Sequence, residues 1–391
     1  MSERQHKPRV VVLGVMGMSP FAGVAWQVLH YLEGFRRLGW EVVYVEDTGA
    51  WAYDPVADTV SADCSYALAH VQGALGHCGL DEAWAYRNAA EDGRVYGPLA
   101  HRFDELFADA DLLVNLTGAT VLREEHMAVP ARLYLETDPV LPQIELANGR
   151  PFTVDLLSAH THLATFGENL GTPACRVPVT AGFDYLPTRQ PVVLDWWRTP
   201  EPPGTRYTTV ASWRQTEKDL EWEGERYTWS KHVEFLKIVD LPSRVGPPID
   251  LALACDDGDD LARLRAHGWG VIDGFRLSLD VDAYRRYIGC SRGELTVAKD
   301  QNVRLCSGWF SDRSACYLAS GRPVITQDTG FGEALPTGQG LFAFRDIDDV
   351  VAAVEAVESD LDKHAEAALE IADTYFRAET VLADLLARMG M

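Results

Sequence analysis

The chain has 391 residues, of which 47% are hydrophobic and 24% charged, and this ordinary globular composition excludes both a disordered chain and a fibrous one. At about 150 residues per domain, the length predicts two or three compact units. The 58 acidic and 35 basic residues give a formal charge of −23, which repels phosphate backbones and anionic lipid surfaces. Nucleic-acid binding and peripheral membrane attachment are therefore disfavoured, and any cluster of basic residues becomes informative.

The seven cysteines are widely spaced and form no C-x-x-C pair. This pattern indicates neither a disulfide framework nor a zinc site, and it fits the reducing cytoplasm. The apolar residues 10–29 superficially resemble a secretory signal, but Ser19-Pro20 interrupts them and their pattern continues as a strand, a loop and a helix. We therefore expect a cytoplasmic protein without a transmembrane segment, and its oligomeric state is left open.

The first part of the chain alternates between apolar runs and helical periodicity. A β-branched run over 10–15 predicts a buried strand, and apolar residues from Val28 to Phe35 at helical spacing predict a helix that Gly39 ends. Further strands are predicted over 41–45, 111–116, 131–135 and 163–166. This alternation is typical of a parallel sheet covered by helices on both faces.

Seven prolines lie between residues 173 and 203 and indicate a domain boundary. Beyond it, strands are predicted over 207–213, 249–254, 294–298, 323–327 and 341–344, and helices over 233–239, 259–266, 313–319, 350–357 and 364–388. The chain is thus predicted to be an α/β protein of two tandem Rossmann-like, doubly wound domains that face each other across a cleft. The predicted units are an N-terminal domain over 1–185, a hinge over 186–205, a second domain over 206–370 and a C-terminal helix over 371–391.

In two such domains the carboxyl ends of the strands face the cleft, where ligands of these sheets bind. The most informative passage is residues 307–332, in which a polar turn begins a helix, a buried strand follows, and the strand opens into a glycine turn. Free backbone N–H groups and a guanidinium at the first turn, with a close backbone approach at the second, suit an anionic nucleotide. The candidate residues are Ser311, Asp312, Arg313 and Ser314 in the first turn and Thr329, Gly330 and Phe331 in the second.

The run 317–325, with its Ser320-Gly321-Arg322-Pro323 step and the glycine turn after it, resembles the donor-binding half of GT-B glycosyltransferases. The first strand with Gly14, and the helix after it, resemble the acceptor-binding half. The resemblance implies acceptor contacts at Gly17, Met18 and Phe21. It also implies transfer of a sugar from a nucleotide diphosphate sugar, a co-substrate rather than a cofactor, to a small-molecule or lipid-linked acceptor.

The chain departs from this pattern at two positions. Related retaining enzymes carry two glutamates, with seven residues between them, that hold the sugar and the ribose, and the corresponding positions here are Gly308 and Cys316. Neither side chain has a carboxylate. Asp312, one helical turn before Cys316, is a candidate replacement for one of them. The stereochemical outcome stays open.

In the related enzymes an arginine and a lysine after the first strand of the second domain neutralise the diphosphate leaving group. Arg214 follows the strand predicted over 207–213 and is the preferred candidate. Lys231 comes after an insertion over 216–229, and Lys299 directly follows the strand predicted over 294–298. Each is equally compatible with a solvated surface position.

A catalytic base is expected at a strand end of the first domain. Asp138 follows the strand over 131–135 and precedes a proline, which stops helix continuation and favours a carboxylate that points into the cleft. Related enzymes often have His-Asp there, but Thr137 replaces the histidine. Asp47 is the second candidate, and His162 is the third because it precedes its strand.

No metal site is expected. The pair Asp257-x-Asp259 is interpreted as part of a helix-capping acidic cluster, and the pair Asp280-x-Asp282 precedes an amphipathic segment over 284–288, away from the loop expected to hold the donor. Two alternative functions stay open: a nucleotide-sugar epimerase or hydrolase that needs no acceptor, and a catalytically silent nucleotide-sugar-binding module. Turnover against a panel of acceptors separates a transferase from an epimerase or hydrolase. Tight donor binding without any turnover indicates a binding module.

Overall fold

Two parallel β-sheets with helices on both faces make up the structure, a computed structural model that describes residues 7–215 and 218–391. The strands of the N-terminal half are β1 (Arg9–Leu13), β2 (Glu41–Glu46), β3 (Ala52–Asp54), β4 (Thr59–Ser61), β5 (Trp84–Asn88), β6 (Arg94–Tyr96), β7 (Leu112–Leu116), β8 (Ala131–Glu136), β9 (His162–Thr165) and β10 (Tyr185–Pro187). Its helices are α1 (Ala22–Arg37), α2 (Ser65–Gly76), α3 (Phe103–Ala108), α4 (Val140–Ala147) and α5 (Pro151–Ser158).

A short helix, α6 (Leu194–Trp197), lies in the segment between the two sheets. The strands of the C-terminal half are β11 (Tyr207–Ser212), β12 (Leu220–Trp222), β13 (Glu225–Tyr227), β14 (Ile249–Ala254), β15 (Gly270–Asp273), β16 (Gly293–Thr296), β17 (Val324–Gln327) and β18 (Leu341–Phe344). The remaining helices are α7 (His232–Lys237), α8 (Gly258–Ala266), α9 (Gly274–Leu277), α10 (Val281–Gly289), α11 (Asp300–Arg304), α12 (Asp312–Ala319), α13 (Ile347–Ser359), α14 (Leu361–Ile371) and α15 (Ala378–Arg388).

The strand order is β10-β9-β8-β7-β1-β2-β5-β6 in the first sheet and β15-β14-β11-β16-β17-β18 in the second. Every neighbouring pair in the two sheets is parallel except β5 with β6, which runs antiparallel. The apolar run of β1 is central and fully buried, as expected for a strand covered on both faces. The prediction of two tandem Rossmann-like domains that face each other across a cleft is confirmed.

Helix α1 joins the two halves as well as covering its own sheet. The Trp26 indole donates to the backbone oxygen of Val281 at 3.0 Å, and the Ala22 amide donates to the backbone oxygen of Ser278 at 2.6 Å. Both acceptors belong to the C-terminal half. The start of α1 therefore forms one wall of the cleft.

The C-terminal helix predicted over 364–388 is not continuous, and this part of the prediction is wrong. Helix α14 ends at Ile371, a π-helical turn follows over Ala372–Phe376, and α15 starts at Ala378. Between them Arg377 is extended, because Val192 pairs with its backbone in a parallel bridge. Helix α15 then packs on α1, where Gly34 leaves room for Leu382.

The insertion predicted over 216–229 includes the hairpin β12–β13, and residues 216 and 217 lie outside the described part of the chain. Its Leu220 and Tyr227 pack with Val140 and Ile144 of α4 in a cluster that spans both halves. Hinge motion over 186–205 remains a prediction. Over the two described ranges, no helix is both long enough and apolar enough to span a bilayer.

Candidate functional site

A cavity of about 420 Å³ lies between the two halves, at the carboxyl ends of β11, β14 and β16. The start of α1 supplies its N-terminal wall, and this wall includes Ser19, Phe21 and Gly23. The opposite wall carries three basic side chains: Lys231, Lys299 and Arg313. In a chain with a formal charge of −23, this concentration of positive charge indicates an anionic ligand.

Arg313 is rigidly held beneath the cavity. Its Nε donates to Glu294 Oε1 at 2.6 Å, and its two terminal nitrogens donate to the Val210 backbone oxygen at 2.6 Å and to Thr296 Oγ1 at 3.0 Å. Burial alone would lower the pKa of Arg313, but the buried Glu294 carboxylate outweighs that effect and raises it. The guanidinium is thus a permanently charged, preorganised group.

Lys231 immediately precedes α7 and has neither a hydrogen bond nor an ion pair from its ammonium group to any described residue. Burial, together with Arg313 and Lys299, holds its pKa well below the ordinary value. An ammonium group that is partly removed from water and lies beside two other cations is unfavourable without a counter-ion. A bound anion such as a diphosphate would supply that counter-ion.

Lys299 spans the cleft. Its Nζ donates to Asp138 Oδ1 at 2.5 Å and lies 3.3 Å from the centre of the Trp229 ring, which also lines the cavity. Burial lowers the pKa of Lys299, and Asp138 offsets part of that shift. The structure thereby brings together one predicted donor-binding residue and the preferred candidate base.

Arg214 is not brought to the cavity, contrary to the preference for it as the diphosphate ligand. Its side chain is half-exposed and binds Asp260 at 2.5 Å and Asp257 at 3.4 Å. Asp257 also caps α8 by accepting from the amides of Asp259 and Asp260, and Asp280 caps α10 through the amide of Ala283. The first Asp-x-Asp pair therefore has the capping role that was predicted, and the structure shows that the second also begins a helix.

Of the turn before α12, only Arg313 lines the cavity. Ser311 precedes the helix without a capping side-chain hydrogen bond, and the Ser314 hydroxyl is buried without a partner in the described chain. Burial raises the pKa of Asp312 to about 6, while a hydrogen bond with Gln27 of α1 counteracts that shift. Asp312 therefore contacts the N-terminal half rather than the cavity.

The glycine turn over 329–331 is also away from the cavity, and Asn169 of the N-terminal half covers it. The Asn169 side-chain amide donates to the backbone oxygens of Gly330 at 2.9 Å and Cys306 at 3.3 Å. Thr329 donates to the Trp309 backbone oxygen, and Phe331 is buried against Phe310. In this arrangement the turn contacts the N-terminal half through Asn169 and does not line the cavity.

Asp47 follows β2 but is engaged by its neighbours. Burial would raise its pKa, but hydrogen bonds from His126 and Arg87 outweigh burial and lower it, and Arg123 lies 3.2 Å away. Ligand atoms of Asp47, Glu125 and His126 lie within 4.8 Å of one another. The two arginines already balance these carboxylates, so the group has the composition of an ion-pair network rather than of a free base.

His162 is excluded from the cleft by topology. It is the first residue of β9, at the amino end of the strand, whereas the cavity lies at the carboxyl ends. Its Nδ1 lies 2.9 Å from the hydroxyl of the neighbouring Thr161. The structure therefore removes the third candidate base.

Of the three residues predicted to contact the acceptor, Gly17 and Met18 bind a carboxylate of their own half, and Phe21 lines the cavity. The amides of Gly17 and Met18 donate to the two carboxylate oxygens of Glu46 at 2.7 and 2.6 Å, so this carboxylate fixes the loop. Phe21 alone lines the cavity, where its ring meets Phe275 at 5.6 Å between centres. Burial raises the pKa of Glu46 to about 7, opposed first by the hydrogen bond from Gly17.

Sequence reasoning missed several residues that line the cavity, among them Trp229, Phe275 and Tyr284. Trp229 lies in the Trp-rich insertion, whose composition was a usable signal. Phe275 and Tyr284 come after strand β15, which periodicity did not identify because only two of its four residues, Val271 and Ile272, are apolar. Their position depends on how α9 and α10 fold back against α1.

A larger cavity of about 720 Å³ lies on the other side of Phe275, along β14 and β15. Its lining is mainly apolar, and Arg276, one of its two arginines, is exposed and 3.4 Å from Asp273. The cation cluster lines the smaller cavity, and Asp138 contacts one of its members, Lys299, so the smaller cavity is the better candidate site.

Comparison with solved structures places this geometry in a known fold. An alpha-glucosyltransferase in complex with UDP matches with a TM-score of 0.56 at 11% identity, over 98% of this chain and 100% of that one. Anabaena Alr3699/HepE in complex with UDP-glucose matches with a TM-score of 0.56 at 12% identity, over 98% and 99%. AviGT4, a glycosyltransferase involved in avilamycin A biosynthesis, matches with a TM-score of 0.55 at 11% identity, over 97% and 96%.

The chain therefore has the GT-B fold, as its resemblance to that class implied. No family model and no curated protein matches the sequence. The likeness to the solved structures is thus a likeness of fold.

Proposed function

We propose that the protein is a glycosyltransferase that moves a sugar from a nucleotide diphosphate sugar to a small-molecule or lipid-linked acceptor. The observation that carries this proposal is Lys231, which has no partner among residues 7–215 and 218–391, beside Arg313 and Lys299 in the cavity between the two halves. Three fixed cations stabilise the negative charge that develops on a departing diphosphate. A metal ion is not required for that task, so we propose a metal-independent reaction.

Asp138 is the proposed base because it lies at the end of β8 and reaches across the cleft to Lys299. A diphosphate that binds Lys299 would compete with this ion pair and leave the Asp138 carboxylate free to accept the acceptor's hydroxyl proton. Donor binding would then prepare the base for the acceptor.

The donor nucleotide is proposed to be a uridine diphosphate, because similar structures were solved with UDP and UDP-glucose. One similar alpha-glucosyltransferase was solved with DNA. The charge of −23 disfavours a DNA acceptor here, and the proposed acceptor is therefore a small molecule or a lipid-linked one.

The test is release of nucleoside diphosphate from a panel of nucleotide sugars, with and without a panel of acceptors. Acceptor-dependent release that yields a glycosylated acceptor supports the proposal. Release without any acceptor, or isomerisation of the donor, indicates a hydrolase or an epimerase. Tight donor binding without any turnover indicates a binding module.

A further inference from the structure

A tyrosine in the cavity wall has a hydroxyl group without a hydrogen-bond partner among the described residues. Tyr284 of α10 is 6% exposed and lines the cavity, and its hydroxyl has no hydrogen bond to any described residue. The hydroxyl lies 3.6 Å from the position that a Cβ atom on Gly23 would occupy. The Tyr284 hydroxyl is accessible from the cavity, where a ligand can both donate a hydrogen bond to it and accept one from it. A ligand in the cavity is the partner that this geometry leaves room for.

The order of strands shows which part of a nucleotide would reach this hydroxyl. Lys299 follows β16, whereas Ala254 ends β14 and Phe275 follows β15. From β16 to β15 the sheet order counts three steps of about 4.8 Å, or about 14 Å in all. An extended nucleoside diphosphate spans such a distance, with its diphosphate at the cations and its base toward Phe275.

Tyr284 lies between these two ends. It interacts electrostatically with Arg313 at the cation end, and its ring borders the same cavity as Phe275. The ribose, which connects base and diphosphate, would occupy this middle part. Ribose hydroxyls both donate and accept hydrogen bonds, as a tyrosine hydroxyl does.

The position at which related enzymes hold the ribose is not usable in this chain. Cys316 occupies it, is 4% exposed, and has its sulfur 3.8 Å from Nε2 of the buried His30. It does not line the cavity. The ribose hydroxyls therefore need another protein partner.

We propose that the Tyr284 hydroxyl hydrogen-bonds a ribose hydroxyl of the donor, and that the protein thereby selects ribonucleotide over deoxyribonucleotide sugars. This inference rests on the proposed function, since it assumes that the cavity binds a nucleotide diphosphate. It adds a residue and a selectivity that the cation cluster alone does not specify.

Isothermal titration calorimetry with UDP, GDP and ADP identifies the ribonucleotide that binds best, and the 2′-deoxy and 3′-deoxy forms of that nucleotide are then titrated. The wild-type protein should bind at least one deoxy form about five- to tenfold more weakly, the size of one neutral hydrogen bond. In Tyr284→Phe this discrimination should shrink to within twofold. The matched control is Tyr287→Phe in the same helix, outside the cavity, which should discriminate like wild type.

The outcomes separate the two proposals. If a ribonucleotide binds but Tyr284→Phe discriminates as strongly as wild type, or wild type does not discriminate, the ribose contact is refuted and the donor site stands. If none of the three ribonucleotides binds the wild-type protein, both proposals fail. Tyr284→Phe should unfold at the wild-type temperature or higher, because the hydroxyl it removes has no partner to lose.

Discussion

The two faces of the cleft share one topology but present different ionisable groups. In the N-terminal half, Glu46 ends β2 and Glu136 ends β8, with Asp138 two residues later. In the C-terminal half the cavity wall carries Lys231, Lys299 and Arg313. Parallel strands supply the same frame in both halves, so the side chains at their ends decide what each half binds. The comparison assigns the anionic donor to the C-terminal face and the proton acceptor to the N-terminal face.

The carboxylates of the N-terminal face are not equivalent. Burial raises the pKa of Glu46 to about 7 and that of Glu136 to about 8, and each is already hydrogen-bonded within its own half. Asp138 keeps 37% of its side chain exposed and reaches the opposite face. It is therefore the carboxylate of the three that an acceptor can approach.

The largest expected effect comes from replacing Asp138 on the N-terminal face of the cleft. Asp138→Asn keeps the shape of the side chain but removes its basicity, so turnover should fall by about 10²-fold or more. Donor affinity should stay the same or rise, because Lys299 loses its competing partner. Turnover and calorimetric affinity measure the two effects separately.

His162→Gln is the control for this variant, since His162 lies at the amino end of its strand, and it should leave turnover within twofold of wild type. Normal turnover in Asp138→Asn would disprove its role as the base and redirect attention to Asp47.

The next largest effect comes from replacing Lys231 on the C-terminal face of the cleft. Lys231→Met should weaken binding of the nucleoside diphosphate by at least tenfold, because it removes a charge-assisted contact worth about 1.5–3 kcal/mol. Arg214→Met is the matched control, because Arg214 pairs with Asp260 outside the cavity. The affinity of Arg214→Met for the nucleoside diphosphate should differ from that of the wild-type protein by less than threefold. The reverse ranking of the two variants would move the donor toward Arg214.

A smaller effect is the dependence of diphosphate affinity on pH. The pKa of Lys231 is lowered in the free protein, and a bound diphosphate would raise it, so the complex holds more protons than its free components. Affinity should therefore fall as pH rises between those two pKa values, by at most tenfold per pH unit. Calorimetry in buffers of different ionisation enthalpy should show proton uptake on binding. Uptake that persists unchanged in Lys231→Met would assign it to another group.

The smallest effect concerns metals. If the three cations neutralise the leaving group, activity after exhaustive EDTA treatment should remain within about twofold of the untreated value. A loss of activity that Mn²⁺ or Mg²⁺ restores would contradict this proposal. The group Asp47, Glu125 and His126 would then be the first place to look for the ion.

The sequence by itself determined the two-sheet architecture, because continuous apolar β-branched runs alternating with helical periodicity are local signals. It also placed Asp138 and Lys299 at strand ends, where the cleft had to be. Local pattern was equally sufficient for the acidic run 256–260, since capping depends on the nearest amides.

The tertiary structure alone decided which of the candidates meet. The sequence favoured Arg214 over Lys231 as the diphosphate ligand, but Arg214 pairs with Asp260, whereas the Lys231 ammonium group has no partner among the described residues. The glycine turn over 329–331 matched its motif, yet Asn169, 161 positions away from Gly330, covers it. Such outcomes depend on contacts between residues far apart in the chain, and the pairing of charges across a closed cleft leaves no local trace in the sequence.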